Sequence, residues 1–223
     1  MDLLDFGLTP LRDYLPKPVF EAACRRAQRR KFNDGQAIHA RGDTNVGLCI
    51  VAEGAVRIGR FQHGGSFNLL SIVGPGGHFG DIAMQRTVRT HNAYAVGSTE
   101  LLVIDAAAIE ELMRDEPGFA INLWRCNSAR FNAILELYDD ARTLGITLRL
   151  GKVIYVHAGR GELADGVACV QRDLAEILGV TSVSIGTSLK ELESDGLVET
   201  GYRCVKVPSK TRLKAWLRKT GAM

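Results

Sequence analysis

Two short amphipathic segments joined at a glycine place the strongest constraint on the fold of this chain. Residues 171–198 read QRDLAEILGVTSVSIGTSLKELESDGLV. Apolar residues recur there at the spacing of one helix face, as Leu174, Ile177 and Leu178 in the first half and Ile185, Leu189 and Leu192 in the second. Gly179 can adopt the left-handed conformation that ends a helix, and Thr181 is a good N-cap for the next one. The pattern predicts a helix-turn-helix, a motif whose second helix lies in the major groove of DNA.

Any helical hairpin can pack in this way, but the residues that follow it favour a winged helix. Residues 197–200 and 203–207 are short β-prone runs joined at Gly201 and Tyr202, which predicts a two-stranded wing beside the second helix. The charge of the chain agrees with this assignment. Residues 142–223 hold 13 Lys and Arg against 8 Asp and Glu, whereas residues 1–141 hold 15 against 17. The positive charge therefore lies with the predicted DNA reader, where a phosphate backbone favours it.

The first half of the chain has a different composition. Twelve of the 24 glycines lie between residues 35 and 97. They separate short β-prone segments at 47–51, 56–61, 67–73, 93–96 and 101–104, which predicts a β-sandwich or jelly roll. The preceding residues, from 1 to about 31, are predicted to be helical, with the basic run at 25–31 on a solvated face. The fold class is therefore α+β, with a β-roll over residues 1–116, a long helix over 117–144 and a winged helix-turn-helix over 145–223.

Helical patterns resume after the β-region, over residues 106–113 and from Pro117 to about Thr143. An a/d-like apolar seam runs along the second of these helices, with Trp124, Phe131 and Tyr138 seven residues apart and with Asn127, Ile134 and Ala141 three residues after each. Such a seam can pack on the β-domain or pair with a second copy of the chain. Because DNA readers of this type are commonly two-fold dimers, we favour the homodimer.

The β-region also carries a candidate effector site in the glycine-rich stretch 74–90. A glycine turn that opens a short helix at Gly80 and Asp81 would present unpaired backbone N–H groups, which suit a phosphate. Arg89 could supply the opposing charge, Asp81 could accept from a sugar hydroxyl, and Thr90 could add a hydroxyl contact to the phosphate. Glycine turns and a single arginine are also ordinary features of β-rolls, so this pattern is not specific.

Three motifs together resemble those of the cyclic-AMP receptor protein and fumarate–nitrate regulator (CRP/FNR) family of bacterial transcription factors. They are FGD at 79–81, RTHNAYAVGSTEL at 89–101 and the helix-turn-helix segment at 171–198. The likeness spans nearly the whole chain. It implies a homodimer joined by the long helix, with an effector in the β-roll setting the orientation of the DNA-binding domains. For a member that activates transcription, RNA polymerase is a further partner.

Departures from the family pattern bear on the effector. Asp81 stands where cyclic-AMP binders have Glu, and the loop between Gly80 and Arg89 is about two residues shorter than theirs. When Arg149 is matched to the family's arginine after the hinge, the positions that offer Thr and Ser to adenine hold Ile134 and Leu135, which cannot hydrogen-bond a base. We therefore expect that cyclic AMP is not bound in the usual way. The identity of the effector, a cyclic nucleotide or another anion, stays open, and no iron–sulfur cluster is expected because the family's N-terminal cysteine cluster is absent.

The predicted DNA-reading residues depart from the family as well. Members that read the best-known half-site use Arg, Glu and Arg at positions that here hold Ser182, Val183 and Thr187. No bidentate arginine contact to guanine is available from these residues, so we expect a different target. Val183 could meet a thymine methyl group, while the hydroxyls of Ser182 and Thr187 could make permissive contacts to bases. The residues predicted to contact DNA are Gln171, Thr181, Ser182, Val183, Ser184, Thr187 and Lys190. Of these, Gln171, Ser184 and Lys190 are predicted to contact the DNA backbone.

Two other classes of protein share features with this sequence. A glycine-rich β-roll with histidines also describes cupin-like metal enzymes, but His39, His63, His78 and His91 are isolated and form no HxH pair, so no metal site is predicted. A cyclic-nucleotide sensor that acts through protein partners would need no winged helix. The five scattered cysteines show no CxxC spacing, and the acidic start of the chain does not resemble a signal peptide. We therefore predict a cytoplasmic, non-enzymatic DNA-binding regulator.

Overall fold

The computed structural model describes residues 9–65, 67–81, 88–158, 167–168, 171–202 and 204–223. The chain forms two compact units, Leu8–Phe131 and Asn132–Met223. The boundary between them lies within one long helix. The division into three parts predicted above stays a prediction. In the described part of the chain, every helix is too short or too polar to cross a membrane.

The first unit is a β-roll flanked by helices. Its elements are α1 (Leu11–Tyr14), α2 (Lys17–Arg26), β1 (Gln28–Phe32), β2 (Ala37–His39), β3 (Gly47–Phe61), β4 (Phe67–Val73), β5 (His78–Phe79), β6 (Asn92–Asp105), α3 (Ala106–Asp115) and the first half of α4 (Pro117–Thr143). The sheet is antiparallel in the order β1-β6-β3-β4, with β2 paired to β6 and β5 paired to β3. The predicted α+β class with a glycine-rich β-roll is confirmed.

The helix predicted from residue 1 to about 31 begins outside the described residues, since residues 1–8 are not among them. In the described part it is two helices, α1 and α2, and the prediction is wrong at its C-terminal end. Helix α2 ends at Arg26, Ala27 is extended, and Gln28–Phe32 is a strand at the edge of the sheet. Arg29, Arg30 and Lys31 are exposed, as expected, but they lie on an edge strand and not on a helix. Arg29 and Lys31 form ion pairs with Glu100 of β6, whereas Arg26 on α2 is partly buried and pairs with Asp115. Exposed Lys and Arg are a common way to keep such an edge from pairing with another chain.

Two pairs of predicted short strands are single long strands. Residues 47–51 and 56–61 belong to β3, and residues 93–96 and 101–104 belong to β6. The register between the two strands shifts on both sides of Glu53, so each strand bends there without ending. Gly54 permits the bend, because its φ is +75° and an added Cβ would lie 2.4 Å from the carbonyl oxygen of Ser98.

The second unit contains the predicted winged helix-turn-helix. Its elements are the second half of α4, α5 (Ile146–His157), β7 (Val167–Ala168), α6 (Gln171–Leu178), α7 (Ser182–Ser194), β8 (Glu199–Gly201), β9 (Cys204–Lys206) and α8 (Lys210–Lys219). The three short strands form one sheet in the order β7-β9-β8. Gly179 is left-handed at φ +65°, and the Thr181 side chain accepts the backbone N–H of Ser184, so the predicted hinge and N-cap are confirmed. Helix α8 was not predicted, because its few apolar residues stand within a strongly basic run.

Candidate nucleic-acid interface and effector site

Helix α7 has one buried and one exposed face. Its buried side chains are Ile185, Ser188, Leu189 and Leu192, and its exposed ones include Ser182, Val183, Thr187 and Lys190. Val183 is 80% exposed, which is unusual for a β-branched apolar residue. The face on which sequence reasoning placed the base-reading residues is therefore the face that is open to solvent.

Contacts from α5 hold α6 and α7 in place. The Thr147 hydroxyl lies 3.0 Å from Ser188 Oγ and also donates to the carboxylate of Glu191. Arg149 Nη2 donates to the carbonyl of Leu178 at 2.6 Å, so it satisfies one of the carbonyl groups left unpaired at the end of α6. These bonds fix the angle between the two helices of the motif.

The other predicted DNA contacts lie near the start of α7. Gln171 of α6 reaches the middle of α7, where its Oε1 would be 3.5 Å from a Cβ on Gly186. Thr181 and Ser184 are engaged in the N-cap, with their hydroxyl oxygens 2.9 Å apart. The Thr187 hydroxyl donates to the carbonyl of Val183 at 3.2 Å. The hydroxyls of Thr181 and Thr187 are thus partly committed within the protein.

The wing is tied directly to α7. One carboxylate oxygen of Glu193 accepts both the backbone N–H of Thr200, at 2.8 Å, and its hydroxyl, at 2.9 Å. These two hydrogen bonds lower the pKa of the Glu193 carboxyl. Tyr202, at the turn of the wing, is 93% exposed. The wing was predicted from the sequence, whereas the exposure of Tyr202 was not.

In the β-roll, Gly80 and Arg89 are brought together, but Arg89 is already bonded to the protein backbone. Its guanidinium is buried and donates from Nε to the carbonyl of Asn45 at 2.7 Å and from Nη1 to the carbonyl of Gly47 at 2.8 Å. Gly80 has φ +93°, and an added Cβ would lie 2.4 Å from Gly47 O. Gly80 is therefore required for the close approach of these segments. The short helix predicted after Asp81 falls on residues 82–87, outside the described residues.

Asp81 bonds to the long helix. Its Oδ2 accepts from Asn127 Nδ2 at 2.9 Å, while Asn127 Oδ1 lies 3.0 Å from Nε2 of His78. Since the amide oxygen can only accept, His78 Nε2 carries the proton. Arg130 Nη1 lies 3.2 Å from the same Nε2, but two donors do not form a hydrogen bond with each other. Arg130 Nη2 donates to the carbonyl of His78 at 2.8 Å. The result is a polar network that joins β5 to α4.

His78 is the least expected member of this network. It is 1% exposed, and its Nδ1 has no hydrogen-bond partner among the described residues. Burial and the charge of Arg130 lower the pKa of His78 to about 4, so the ring is neutral at physiological pH. The roles of His78 and Arg130 in this network were not predicted from the sequence, because contacts between distant segments leave no local pattern.

The remaining predicted effector residue and the nearby histidines lie around Arg89. Thr90 Oγ1 is 3.0 Å from Nδ1 of His91. Burial and Arg89 lower the pKa of His39 to about 4. In the described residues, no group of three or more His, Cys, Asp or Glu side chains could hold a metal ion.

Helix α4 exposes a row of large apolar side chains. Trp124 is 65% exposed, Phe131 60% and Tyr138 58%, and Ile134 and Leu135 are also exposed. Asn127, by contrast, points into the network with His78 and Asp81. Most of the predicted seam is thus uncovered within the chain.

Comparison with known proteins assigns both halves of the chain. Residues 29–116 match the cyclic nucleotide-binding domain, and residues 133–216 match the Crp-like helix-turn-helix domain. The cyclic AMP receptor protein of Thermus thermophilus is 30% identical over 205 residues, which cover 89% of this chain and 92% of that protein. The chain belongs to the CRP/FNR family of transcription regulators. Members of this family are not enzymes, so the predicted class of protein is confirmed.

Further relatives and solved structures agree with the assignment of this chain to the CRP/FNR family. The CRP-like cAMP-activated global transcriptional regulator of Mycobacterium tuberculosis is 24% identical and covers 86% of this chain and 89% of its own. The solved catabolite activator protein of Thermus thermophilus is 28% identical, with a TM-score of 0.53, and covers 95% of this chain and 99% of its own. The c-di-GMP responsive global regulator CLP of Xanthomonas campestris, at 18% identity, shares the fold with a TM-score of 0.74 and covers 87% of this chain and 100% of its own.

Proposed function

We propose that this DNA-binding regulator acts as a homodimer joined along α4. The exposed row formed by Trp124, Phe131 and Tyr138 repeats at heptad spacing, with Ile134 and Leu135 beside it. Large contiguous apolar patches on a protein surface generally mark interfaces. A second copy of the same helix offers a complementary seam without any further partner. Trp124, Asn127, Phe131, Ile134, Tyr138 and Ala141 are the proposed interface residues, with Asn127 at its edge because it is bonded within the chain.

Each protomer would read one half-site of a palindromic operator with α7. The observation that carries this proposal is the solvent-facing surface of α7, where Val183 is exposed beside Ser182 and Lys190. Val183 would meet a thymine methyl group, whereas Gln171, Ser184 and Lys190 would contact phosphates. Because Ser182, Val183 and Thr187 offer no bidentate arginine contact to a guanine, part of the specificity would come from the shape of the DNA.

The proposed reading is tested by selecting genomic DNA fragments with the purified protein at fixed salt, followed by binding of the enriched site. Val183→Glu should abolish the preference for that site. Lys190→Glu should weaken binding to all duplexes and reduce the salt-dependence slope by about 0.9. Arg25→Glu, an exposed substitution on α2 with the same change in charge, is the control and should bind normally. Site-specific binding by Val183→Glu would refute the assigned face.

We infer that the β-roll does not bind cyclic AMP in the usual mode. Arg89 is engaged by two backbone carbonyls, and Asp81 is engaged by Asn127. The two long-helix positions expected to meet the base are apolar and exposed, as Ile134 and Leu135. Gly80 and Thr90 are the other two residues of the proposed effector site, beside Asp81 and Arg89. Cyclic AMP is named in the descriptions of two relatives, so cyclic nucleotides are the ligands to test first.

The effector proposal is tested by repeating the DNA selection with cyclic AMP, with cyclic GMP and without nucleotide. Enrichment of the same palindrome in all three conditions is the expected result. Ile134→Thr combined with Leu135→Ser should then confer a response to cyclic AMP if these two positions are what blocks it. Enrichment by wild type only with cyclic AMP would refute the inference.

The proposed regulator acts in the cytoplasm. If it activates transcription, it also contacts RNA polymerase.

A further inference from the structure

Helix α8 carries a dense and unneutralised positive charge. Its ten residues, KTRLKAWLRK, include five Lys and Arg and no Asp or Glu. Lys210, Lys214 and Arg218 follow one another at a spacing of four residues, and we call them the α8 basic column. None of the three takes part in an ion pair with the described residues, and Lys210 lies 4.9 Å from the ring centroid of Tyr155.

The placement of Lys210 and Lys214 is unfavourable for the helix itself, whereas Arg218 stands in the last turn, where a cation is favourable. Residues four apart are neighbours on a helix surface, and like charges there repel each other. Lys210 also stands in the first turn, at the positive end of the helix dipole, where an acidic residue would be favourable and none is present. Helix α8 is stabilised by the burial of Leu213 and Leu217 and by the N-cap at Ser209, whose side chain accepts the backbone N–H of Arg212. Surface charges that serve only solubility are generally of mixed sign, which this column is not.

The α8 basic column lies away from the DNA-reading surface of the same unit. Helix α8 packs on α5, where Trp216 lies 3.1 Å from the position of a Cβ on Gly151. Helix α5 in turn covers the buried face of α7, through the bond between Thr147 and Ser188. The exposed face of α7 therefore looks the opposite way, away from α5. Phosphates bound by α7 would not meet the column.

We propose that the α8 basic column is a docking surface for an acidic segment of a partner protein. A row of three cations along a helix matches a run of Asp and Glu carboxylates by charge. The aromatic ring of Tyr155 beside Lys210 provides an apolar edge to the same surface. The surface is separate from the DNA interface, so the regulator can hold DNA and such a partner at the same time.

The test uses the full-length protein and a fluorescein-labelled decaglutamate peptide, with binding followed by anisotropy at low salt. Lys214→Glu combined with Arg218→Glu should weaken peptide binding by about tenfold or more. Lys17→Glu combined with Arg25→Glu changes the net charge equally on α2, where both side chains are exposed, and should change binding by less than about twofold. Lys214→Arg combined with Arg218→Lys keeps both charges and should bind like wild type.

A second measurement separates a protein partner from DNA. Binding of a duplex without an operator is measured against salt for the same variants, and the slope should be unchanged in Lys214→Glu/Arg218→Glu. A slope lower by about 1.8 would assign the column to DNA phosphates and overturn the proposal. An equal loss of peptide binding in the α2 control, or no loss in the α8 variant, would also overturn it. If the charge reversal unfolds the unit, Lys214→Gln/Arg218→Gln provides the same comparison.

Discussion

The buried His78 makes a strong prediction about the acid stability of the β-roll. Its ring is neutral in the folded chain, with a pKa of about 4, whereas an unfolded histidine titrates near 6.5. Below about pH 6.5 the unfolded state therefore binds a proton that the folded state does not bind. The contribution of His78 to stability is complete above that pH and is lost progressively as the pH falls towards 4.

The size of this effect follows from the two pKa values. Between about pH 7 and pH 5, the shift corresponds to a loss of about 2 kcal/mol in the free energy of unfolding. His39 has a similarly lowered pKa and adds a smaller loss, because it is only half-buried. Asp81 lies 3.9 Å from His78 and Arg130 lies 3.2 Å from it, so the protonated ring would face one charge of each sign. Burial decides the outcome, since it is the largest cause of the lowered pKa of His78.

Urea unfolding at a series of pH values measures this loss. Trp124 and Trp216 are the two tryptophans, and a Trp216→Phe background leaves Trp124 as a reporter on the first unit. His78→Gln should lower stability at neutral pH but remove about 2 kcal/mol of the loss on acidification. His63→Gln, at an exposed position, should leave the pH dependence unchanged. Equal pH dependence in His78→Gln and wild type would refute the reasoning, and His39→Gln serves if His78→Gln does not fold.

Three further results are expected. Phe131→Glu places a charge in the exposed row on α4 and should convert the dimer to a monomer in sedimentation; an unchanged dimer would move the interface elsewhere. Gly80→Ala should destabilise the β-roll by about 1–3 kcal/mol in urea unfolding, because of its positive φ and the nearby Gly47 carbonyl, and an unaltered midpoint would contradict this. Glu193→Gln should speed amide hydrogen exchange at Thr200 by about fivefold while leaving exchange in α5 unchanged, since it weakens the bond that anchors the wing.

Elements whose signals are local could be predicted from the sequence. The helix-turn-helix was predictable because periodic apolar residues, the hinge at Gly179 and the cap at Thr181 all act within a few residues of one another. The long helix α4 was predictable for the same reason. The strand at Gln28–Phe32 was not, because pairing with β6 outweighs the helical pattern that precedes it.

The contacts that the candidate effector residues make within the chain depend on segments that are distant in the sequence. Arg89 and Asp81 stay predicted effector residues, and the fold brings Arg89 to the carbonyls of Asn45 and Gly47 and brings Asp81 to Asn127. These partners are separated along the chain by more than 40 residues. Most buried polar groups are hydrogen-bonded to whichever partner the fold provides, and a local pattern cannot show which partner that is.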